Sequence, residues 1–472
     1  MSEHSGSALV VAGATIIDGV TDRPIEGLSI WIEGGRIRAI GRRDQFGASP
    51  TEVIDASGKY VIPGLINANV HLLCDFRLET LARYSGRYEA LIAEAAQVTL
   101  RNGVTTVFDT WGPRRHLMSV RDRINAGKIS GSRIFCGGNI IGFDGPFSRD
   151  FSVKAAELAS VRLRRRINAS WVENVGRHLL WLTPQQVEQE VRAYIARGID
   201  FVEYASNGHG GAFESAVLAF SPQTQAVIVQ AAHRAGLKAQ AHTTTVEGLR
   251  IAIEADCDVI QHANMTGPVQ IPQSTIEELI RRNTSAVVFA FTERRWNSIM
   301  ATATESDRAL WLASDVNVRN LIRHGARLLA GNDGFLCTSE MAAEPSFNRA
   351  HLAPGEDNLF DLATGHLAWL RAMEEKGLPP MELLRAATHN IAVAYAKDDD
   401  LGSILPGRIA DLLILDRNPL QSATNYRSIH AVIKDGIAID RDGLPSERLL
   451  TAPIEAPAEE EASYIPFPGG SE

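Results

Sequence analysis

The sequence predicts an α/β protein with two parts: a (β/α)8 TIM barrel and a small β-sandwich domain built from both chain ends. Strand-like runs occupy both ends of the chain, whereas the middle alternates short apolar runs with longer helical stretches. The length of 472 residues exceeds one ordinary domain and suits a barrel with a smaller companion. The expected division assigns 1–62 and 396–445 to the β-sandwich domain, 63–395 to the barrel and 446–472 to a flexible tail.

The two chain ends carry matching β patterns. Near the amino terminus, strand-like runs begin at Ala8, Ile30 and Ile37. The residues Glu33–Arg36 lie between two of these runs and read as a hairpin turn. Near the carboxyl terminus, residues 410–416 and 431–439 look like strands, with a turn at Asp435-Gly436. Both ends are therefore expected to contribute to one β domain.

The middle of the chain reads as repeated βα units and hence as a parallel sheet. The runs interpreted as strands are Val61–Ile66, Val104–Phe108, Arg133–Cys136, Phe201–Tyr204, Ala239–Ala241, Val259–Ile260, Ala286–Phe291 and Arg327–Ala330. Eight runs fit a closed barrel. A doubly wound open sheet is the alternative, but it normally carries a glycine-rich phosphate loop after its first strand, and none follows here.

Residues 145–183 form a long insertion between the third and fourth predicted strands. The insertion contains several arginines, followed by Trp171 and Trp181. The simpler interpretation is a solvated helix with one packed aromatic side. The alternative is a lid over the barrel mouth, since such loops often carry specificity.

Composition excludes several classes of protein. The formal net charge of -9 argues against a general nucleic-acid binder, which needs a basic surface. The cysteines are scattered without a CxxC pair and are expected to be free thiols in a reducing compartment: Cys74, Cys136, Cys257 and Cys337. We find no signal-peptide pattern and no run of about 18 apolar residues, so no membrane span and a cytoplasmic location are expected.

Metal-ligand residue types recur at the ends of the predicted barrel strands. They are Asn69 and His71 after strand 1, Glu203 in strand 4, His242 after strand 5, His262 after strand 6 and Asp333 after strand 8. Side chains at the carboxyl ends of barrel strands converge on one face. Imidazole and carboxylate groups there suit Zn²⁺ or a similar divalent ion. Each residue alone could be an ordinary packed polar group, but together they predict a metal site.

Three segments carry a resemblance to a known family. Residues 61–71, VIPGLINANVH, resemble the strand-1 motif of the amidohydrolase superfamily, usually written PGLIDxHxH. Residues 103–107, GVTTV, look like that family's second strand, and 401–416, LGSILPGRIADLLILD, closely match its carboxyl-terminal motif. The resemblance implies a metal-dependent hydrolase acting on carbon–nitrogen bonds other than peptide bonds. It also implies a homo-oligomer.

Two departures from the family pattern change the expected metal content. Asn69 stands where the family has its first strand-1 histidine, and Glu203 replaces the strand-4 lysine that often bridges two metals. Both changes weaken a binuclear site, so one divalent ion per chain is expected, with Zn²⁺ favoured. An Asn-X-His motif with one metal resembles the phenylurea hydrolase subgroup, which cleaves diuron- and linuron-type ureas to an aniline.

Two ligand sets remain open at this point. The favoured set is His71, His242 and Asp333 with Asn69 nearby, and the other is Glu203, His242 and His262. Asp333 is expected to act as the base that takes a proton from water and returns it to the leaving amine. His262 is expected to help stabilise the oxyanion.

An aryl urea or amide needs apolar walls with a few placed polar groups. His209, Tyr204 and Asn207 follow strand 4 and are the expected substrate-binding residues. Further aromatic candidates are Trp111, Phe291 and Trp296. Other amidohydrolase substrates, namely peptides, carbamates and imidazolones, remain alternatives. A more remote alternative is a barrel that has lost its metal and serves in binding or assembly. Asn69 and Glu203 are the two residues that favour it.

Overall fold

The chain alternates strands and helices through most of its length, and the computed structural model describes residues 8–46, 52–73, 78–209, 216–336 and 357–452. The strands are β1 Leu9–Ile16, β2 Ile25–Glu33, β3 Arg36–Gly41, β4 Glu52–Asp55, β5 Tyr60–Pro63, β6 Leu65–Val70, β7 Val104–Asp109, β8 Arg133–Cys136, β9 Val202–Ala205, β10 Ala239–His242, β11 Val259–Gln261, β12 Ser285–Val288, β13 Leu328–Ala330, β14 Leu412–Leu415, β15 Ile429–Lys434 and β16 Ile437–Ala438.

Helices follow most of the strands in the middle of the chain. The α-helices are Leu78–Arg83, Tyr88–Arg101, Arg114–Asn125, Val153–Leu158, Val161–Val172, Pro184–Ile195, Pro222–Arg234, Val246–Glu254, Gln273–Arg281, Glu293–Thr302, Glu305–Arg323, Gly365–Glu375, Pro380–Ala386 and His389–Ala394. Short 3-10 helices cover Arg43–Gln45, Arg177–Trp181 and Ala423–Arg427. None of the helices in these described ranges is long and apolar enough to cross a membrane.

Strands from both chain ends pair in one outer sheet. Its order is β16-β15-β14-β5-β1-β2-β3, and β4 pairs with β1. The predicted turns are both present, because Gly34 and Gly35 connect β2 to β3 with positive φ, and Asp435 and Gly436 do the same between β15 and β16. Both chain ends therefore contribute strands to one hydrogen-bonded sheet. The arrangement of this sheet as a β-sandwich stays a prediction.

The middle of the chain forms parallel sheets whose strands follow one another in chain order. One sheet has the order β6-β7-β8 and the other β13-β12-β11-β10-β9, with parallel pairing throughout. Isolated parallel bridges connect their edges, from Val70 to Gly334 and from Ile141 to Tyr204. Consecutive parallel strands linked by helices are consistent with a TIM barrel.

The first predicted barrel strand is divided between the two parts of the protein. The run Val61–Ile66 is interrupted, because β5 pairs antiparallel with β14 of the outer sheet while β6 starts the parallel strands. Pro63 and Gly64 lie at the break, where a Cβ on Gly64 would collide with Thr105. The other predicted barrel strands each overlap an observed strand.

The insertion at 145–183 packs one aromatic side chain and exposes another. Trp171 is fully buried, with its ring 5.8 Å from that of Tyr88 and 6.1 Å from that of Trp111. Trp181 is 90% exposed. This matches the interpretation of a solvated helix with a packed aromatic side, and a role as a lid stays a prediction.

Residues 446–452 are attached to the helix Tyr88–Arg101, which corrects the prediction of a flexible tail for this part. The carboxylate of Glu94, 1% exposed, accepts hydrogen bonds from the backbone N–H groups of Leu449, Leu450 and Thr451. Residues 453–472 lie outside the described residues, as do Cys74 and Cys337. Cys136 and Cys257 are buried free thiols, as expected.

A buried charge cluster joins the parallel strands to the outer sheet. Arg133 on β8 donates to Asp411 (2.5 Å), next to β14, and to Asp435, which follows β15. Burial alone would lower the pKa of the Arg133 guanidinium, but the two carboxylates raise that pKa above its ordinary value. Asp411 also accepts from the Asp435 backbone N–H (2.8 Å). Removing the Asp411 charge would leave Arg133, whose side chain is 11% exposed, with only the half-exposed Asp435 as its ionic partner.

Asp411→Asn should therefore lower the free energy of unfolding by about 3 kcal/mol, the usual cost of breaking a buried ion pair. Urea unfolding at neutral pH measures it. The matched control is Asp400→Asn, because Asp400 pairs with Arg36 but is half exposed, and an exposed pair contributes roughly 1 kcal/mol or less. Equal losses in the two variants would contradict the role of the buried cluster.

Candidate active site

A cavity of about 180 Å³ lies at the carboxyl ends of the parallel strands. Its walls consist of Asn69, His71, Thr110, Ile140, Phe151, Glu203, His209, His242, Thr244, His262, Met265, Phe289 and Asp333. All of the ligand-type residues predicted from the sequence line this one cavity. A second cavity, about 270 Å³, lies where β13 begins and is lined by Arg327, Asn283 and Asn390 among others, but by no histidine.

His71 and Asp333 form a pair at the edge where β6 meets the segment after β13. The His71 backbone N–H donates to the Gly334 carbonyl (2.8 Å), and His71 Nε2 lies 2.9 Å from Asp333 Oδ1. Burial would raise the pKa of Asp333, but His71 and His262 lower it to about 2, so Asp333 is a carboxylate. Burial opposes protonation of His71, yet Asp333 and Asp109 raise the pKa of its imidazole.

His242 and His262 form a second pair on neighbouring strands. His242 ends β10 and His262 follows β11, which places His242 Nδ1 3.0 Å from His262 Nε2. Burial lowers the pKa of His262 to about 4 and holds that of His242 well below its ordinary value. Both imidazoles are therefore neutral near pH 7, the form that binds a metal. His262 and Asp333 also have positive φ, at 36° and 51°, and such strain is often found at functional sites.

Glu203 lies on β9, beside β10, and points into the same cavity. Gln240 Nε2 donates to Glu203 Oε2 at 2.5 Å. Burial raises the pKa of Glu203 well above its ordinary value, and the negative charges of Asp333 and Asp109 raise it further. A cation in the cavity would oppose both effects and favour the carboxylate.

Asn69 contributes an amide oxygen that already has a donor. Thr110 Oγ1 donates to Asn69 Oδ1 (2.7 Å), and the Asn69 backbone N–H donates to Asn67 Oδ1 (3.1 Å). Asn69 is 2% exposed and lines the cavity. A neutral oxygen that is held by a hydroxyl is a weak candidate for holding a divalent ion.

The structure brings one of the predicted substrate-binding residues to the cavity. His209 lines the cavity, and its Nδ1 lies 2.6 Å from the Asp150 carbonyl. Tyr204 lies on the face of β9 opposite to Glu203 and packs beside Cys257, because side chains alternate along a strand. Asn207 bonds Thr245 Oγ1 and the Thr244 backbone at the start of the next helix. Neither Tyr204 nor Asn207 lines the cavity.

The other aromatic candidates differ in their placement. The Trp111 ring meets the His71 ring edge-on at 5.9 Å and so supports it from behind. Phe291 packs against Trp311, and Trp296 lies beside Lys376. Phe291 and Trp296 are not part of the cavity wall.

Sequence reasoning missed the aromatic wall and the support of Glu203. Phe151 comes from the insertion and lines the cavity, with its ring stacked at 3.7 Å on Trp111 and 4.9 Å from His209. Gln240 stands two residues before His242 on β10, and that spacing places both side chains on one face of the strand. The polar Gln240 at this position of a buried strand could have indicated from the sequence that Glu203 has a hydrogen-bond partner.

The cavity wall contains side chains of the types that bind a divalent cation. Within the described ranges, no three His, Cys, Asp or Glu side chains already meet around a single point. The neutral imidazoles of His242 and His262 and the carboxylate of Asp333 are nevertheless groups in the protonation states that a metal requires, and Glu203 would join them on losing its proton. Among the described residues, neither the buried His242 Nε2 nor the buried His262 Nδ1 has a hydrogen-bond partner. The residue types therefore fit a divalent ion.

The chain is similar to a known family and to several known proteins. Residues 60–439 match the model of the amidohydrolase family. The solved structure of a molinate hydrolase superposes with a TM-score of 0.88 at 37% identity, covering 96% of this chain and 98% of that one. The structure of phenylurea hydrolase B superposes with a TM-score of 0.88 at 33% identity, covering 94% and 100%.

Among curated proteins, adenine deaminase 4 of Rhizobium meliloti is 22% identical over 478 residues, and ochratoxinase of Aspergillus niger is 26% identical over 385 residues. The alignments cover 99% and 79% of this chain, and 64% and 73% of those proteins. The chain thus spans less than two thirds of the length of the deaminase. The chain belongs to the amidohydrolase family, and the predicted class, a hydrolase that acts on carbon–nitrogen bonds, is confirmed.

Proposed function

We propose that β6–β13 close into one (β/α)8 barrel that holds a single divalent ion and hydrolyses the carbon–nitrogen bond of an aryl urea, releasing an aniline. The observation that carries this proposal is the meeting of two histidine-containing pairs and Glu203 in one buried cavity. The similarity to phenylurea hydrolase B supports the substrate class. A homo-oligomer, a cytoplasmic location and a lack of nucleic-acid partners accompany the proposal as expectations.

Glu203, His242 and His262 are the proposed metal ligands. They come from the consecutive strands β9, β10 and β11, and His242 and His262 already lie side by side. We prefer this set to the one favoured from the sequence, because the contact of His71 Nε2 with Asp333 Oδ1 leaves these two residues to act together as a pair. Two nitrogen ligands and one oxygen ligand suit Zn²⁺ with an open position. When bound, the metal supplies Lewis-acid chemistry that activates water near neutral pH.

Asp333 is the proposed general base. Its Oδ1 is held by His71 Nε2, which leaves Oδ2 to accept the proton of the attacking water. Its pKa of about 2 keeps it ionised near pH 7. Asp333 then gives the proton to the leaving nitrogen, because an anilide anion is a poor leaving group. The other product is a carbamic acid, which loses CO₂.

His209 and Phe151 are the proposed substrate-binding residues. His209 donates from Nδ1 to the Asp150 carbonyl, and burial lowers its pKa, so that the neutral ring keeps Nε2 as an acceptor. An acceptor suits the N–H of an aryl urea. Phe151, held between Trp111 and His209, offers an apolar wall for the aryl ring.

A thiocarbamate is the second candidate substrate, because the structure of molinate hydrolase shares 37% identity with this chain. Molinate has no N–H on its carbonyl-bearing nitrogen. The acceptor role of His209 therefore favours the urea.

The first test measures metal content and product release together. The purified protein should contain about one divalent ion per chain, as in mononuclear sites of this type. It should release an aniline from a phenylurea, lose this activity with a chelator and recover it with Zn²⁺. Turnover of molinate but not of a phenylurea would refute the aryl urea substrate and retain the hydrolase activity. A protein that gains neither metal nor activity would be the binding or assembly protein.

Asp333→Asn should lower kcat by about 10²–10⁴-fold, the usual contribution of general acid–base catalysis. The amide keeps the size of the side chain and a hydrogen bond to His71 but cannot accept a proton. Metal content and the thermal unfolding midpoint should stay at wild-type values. A kcat near that of the wild type with full metal content would refute Asp333 as the base.

Phe151→Leu should raise KM for aryl ureas by roughly 3–10-fold, since an aromatic contact contributes about 0.5–1.5 kcal/mol beyond its area. KM for an N-alkyl urea should change little. Phe147→Leu is the matched control, because Phe147 is buried in the same insertion but does not line the cavity. Parallel changes for aryl and alkyl substrates would argue against a specific aryl wall.

A further inference from the structure

Gln240 connects the cavity to a residue far along the chain. Its Nε2 donates to Glu203 Oε2 (2.5 Å), and its Oε1 accepts a hydrogen bond from the Tyr395 hydroxyl. All three side chains are buried, with Gln240 0% exposed and Glu203 and Tyr395 each 3% exposed. We call this series the Tyr395–Gln240–Glu203 chain.

We propose that Tyr395 is a positioning residue that acts through Gln240 to aim the Glu203 carboxylate into the cavity as a metal ligand. The inference rests on the proposed function, in which Glu203 is a ligand. Within the Tyr395–Gln240–Glu203 chain, Glu203 lines the cavity and Tyr395 does not. Tyr395 therefore reaches Glu203 through the amide between them.

The direction of the hydrogen bonds explains why the hydroxyl is needed. A ligating carboxylate is ionised and only accepts hydrogen bonds, so Gln240 must face Glu203 with its NH₂ group. The amide oxygen then points the other way and needs a donor. The Tyr395 hydroxyl supplies it, which fixes the orientation of the amide. Without the hydroxyl, a buried acceptor loses its donor and the amide loses a reason to keep this orientation.

The phenol ring is itself held in place by two aromatic neighbours. It stacks on Phe108 of β7 with centroids 3.8 Å apart and meets Phe201 edge-on at 5.5 Å. Tyr395 directly follows the helix His389–Ala394. The hydroxyl therefore reaches Gln240 from a rigid support outside the loops at the cavity mouth. Rigid support of this kind is what keeps metal ligands oriented.

The test removes one oxygen atom. Tyr395→Phe keeps the ring and its packing, and its dissociation constants for Zn²⁺ and Co²⁺ can be measured by competition with a chromophoric chelator. We expect about 10–100-fold weaker binding, the usual effect of losing an outer partner of a ligand. The visible spectrum of the Co²⁺ protein should change as well.

Tyr426→Phe is the matched control. Tyr426 is 0% exposed, and its hydroxyl has no hydrogen-bond partner among the described residues. Its loss should leave the metal affinity and the Co²⁺ spectrum unchanged. Equal effects of Tyr395→Phe and Tyr426→Phe would overturn the proposal.

A double-mutant cycle tests the route through Gln240. Gln240→Met keeps the length of the side chain and removes both hydrogen bonds. Once Gln240 is replaced, adding Tyr395→Phe should weaken metal binding no further, because the two residues act as one unit. Fully additive effects would overturn the proposal. If Gln240→Met does not fold, the comparison with Tyr426→Phe decides.

Failure of the proposed function looks different from failure of this inference. A wild-type protein that binds no metal removes both. If the wild-type protein binds metal and the Tyr395→Phe variant binds it with the same affinity, the positioning role alone is refuted. Glu203→Gln with unchanged affinity would also remove it and leave a metal site built on other ligands.

Discussion

The site depends on one junction, the contact between the first and the last parallel strands. Val70 bridges Gly334, the His71 backbone N–H bonds the Gly334 carbonyl, and His71 Nε2 meets Asp333 Oδ1. The two side chains are 262 positions apart in sequence. Without this junction, Asp333 would lose the partner that keeps it ionised, and the cavity would lose one of its walls.

Burial is the second constraint, and it acts on each titratable group in the cavity differently. It drives His242 and His262 to the neutral form by lowering the pKa of each ring, and it raises the pKa of Glu203. Asp333 escapes this effect because His71, with a smaller contribution from His262, lowers its pKa. In this cavity Asp333 stays ionised. The charges of Glu203, His242 and His262 depend on whether a cation is bound among them.

The sequence was sufficient to predict the ligand-type residues, because parallel strands bring their carboxyl ends to one face whatever the details of packing. It did not separate β5 from β6, since the apolar run continues across Pro63 and Gly64 while its hydrogen-bond partners change. It could not place Phe151, whose position follows from the path of the insertion. Tyr204 was misplaced because the strand alternation that points Glu203 inward turns its neighbour outward.

The attachment of residues 449–451 to Glu94 has a consequence for how the polypeptide is made. The helix that carries Glu94 is synthesised first, and the backbone groups that satisfy its buried carboxylate leave the ribosome about 350 residues later. The pairing of β5 with β14 is delayed in the same way. The nascent chain must therefore hold an incomplete outer sheet and an unsatisfied acid until β14 and residues 449–451 have been synthesised.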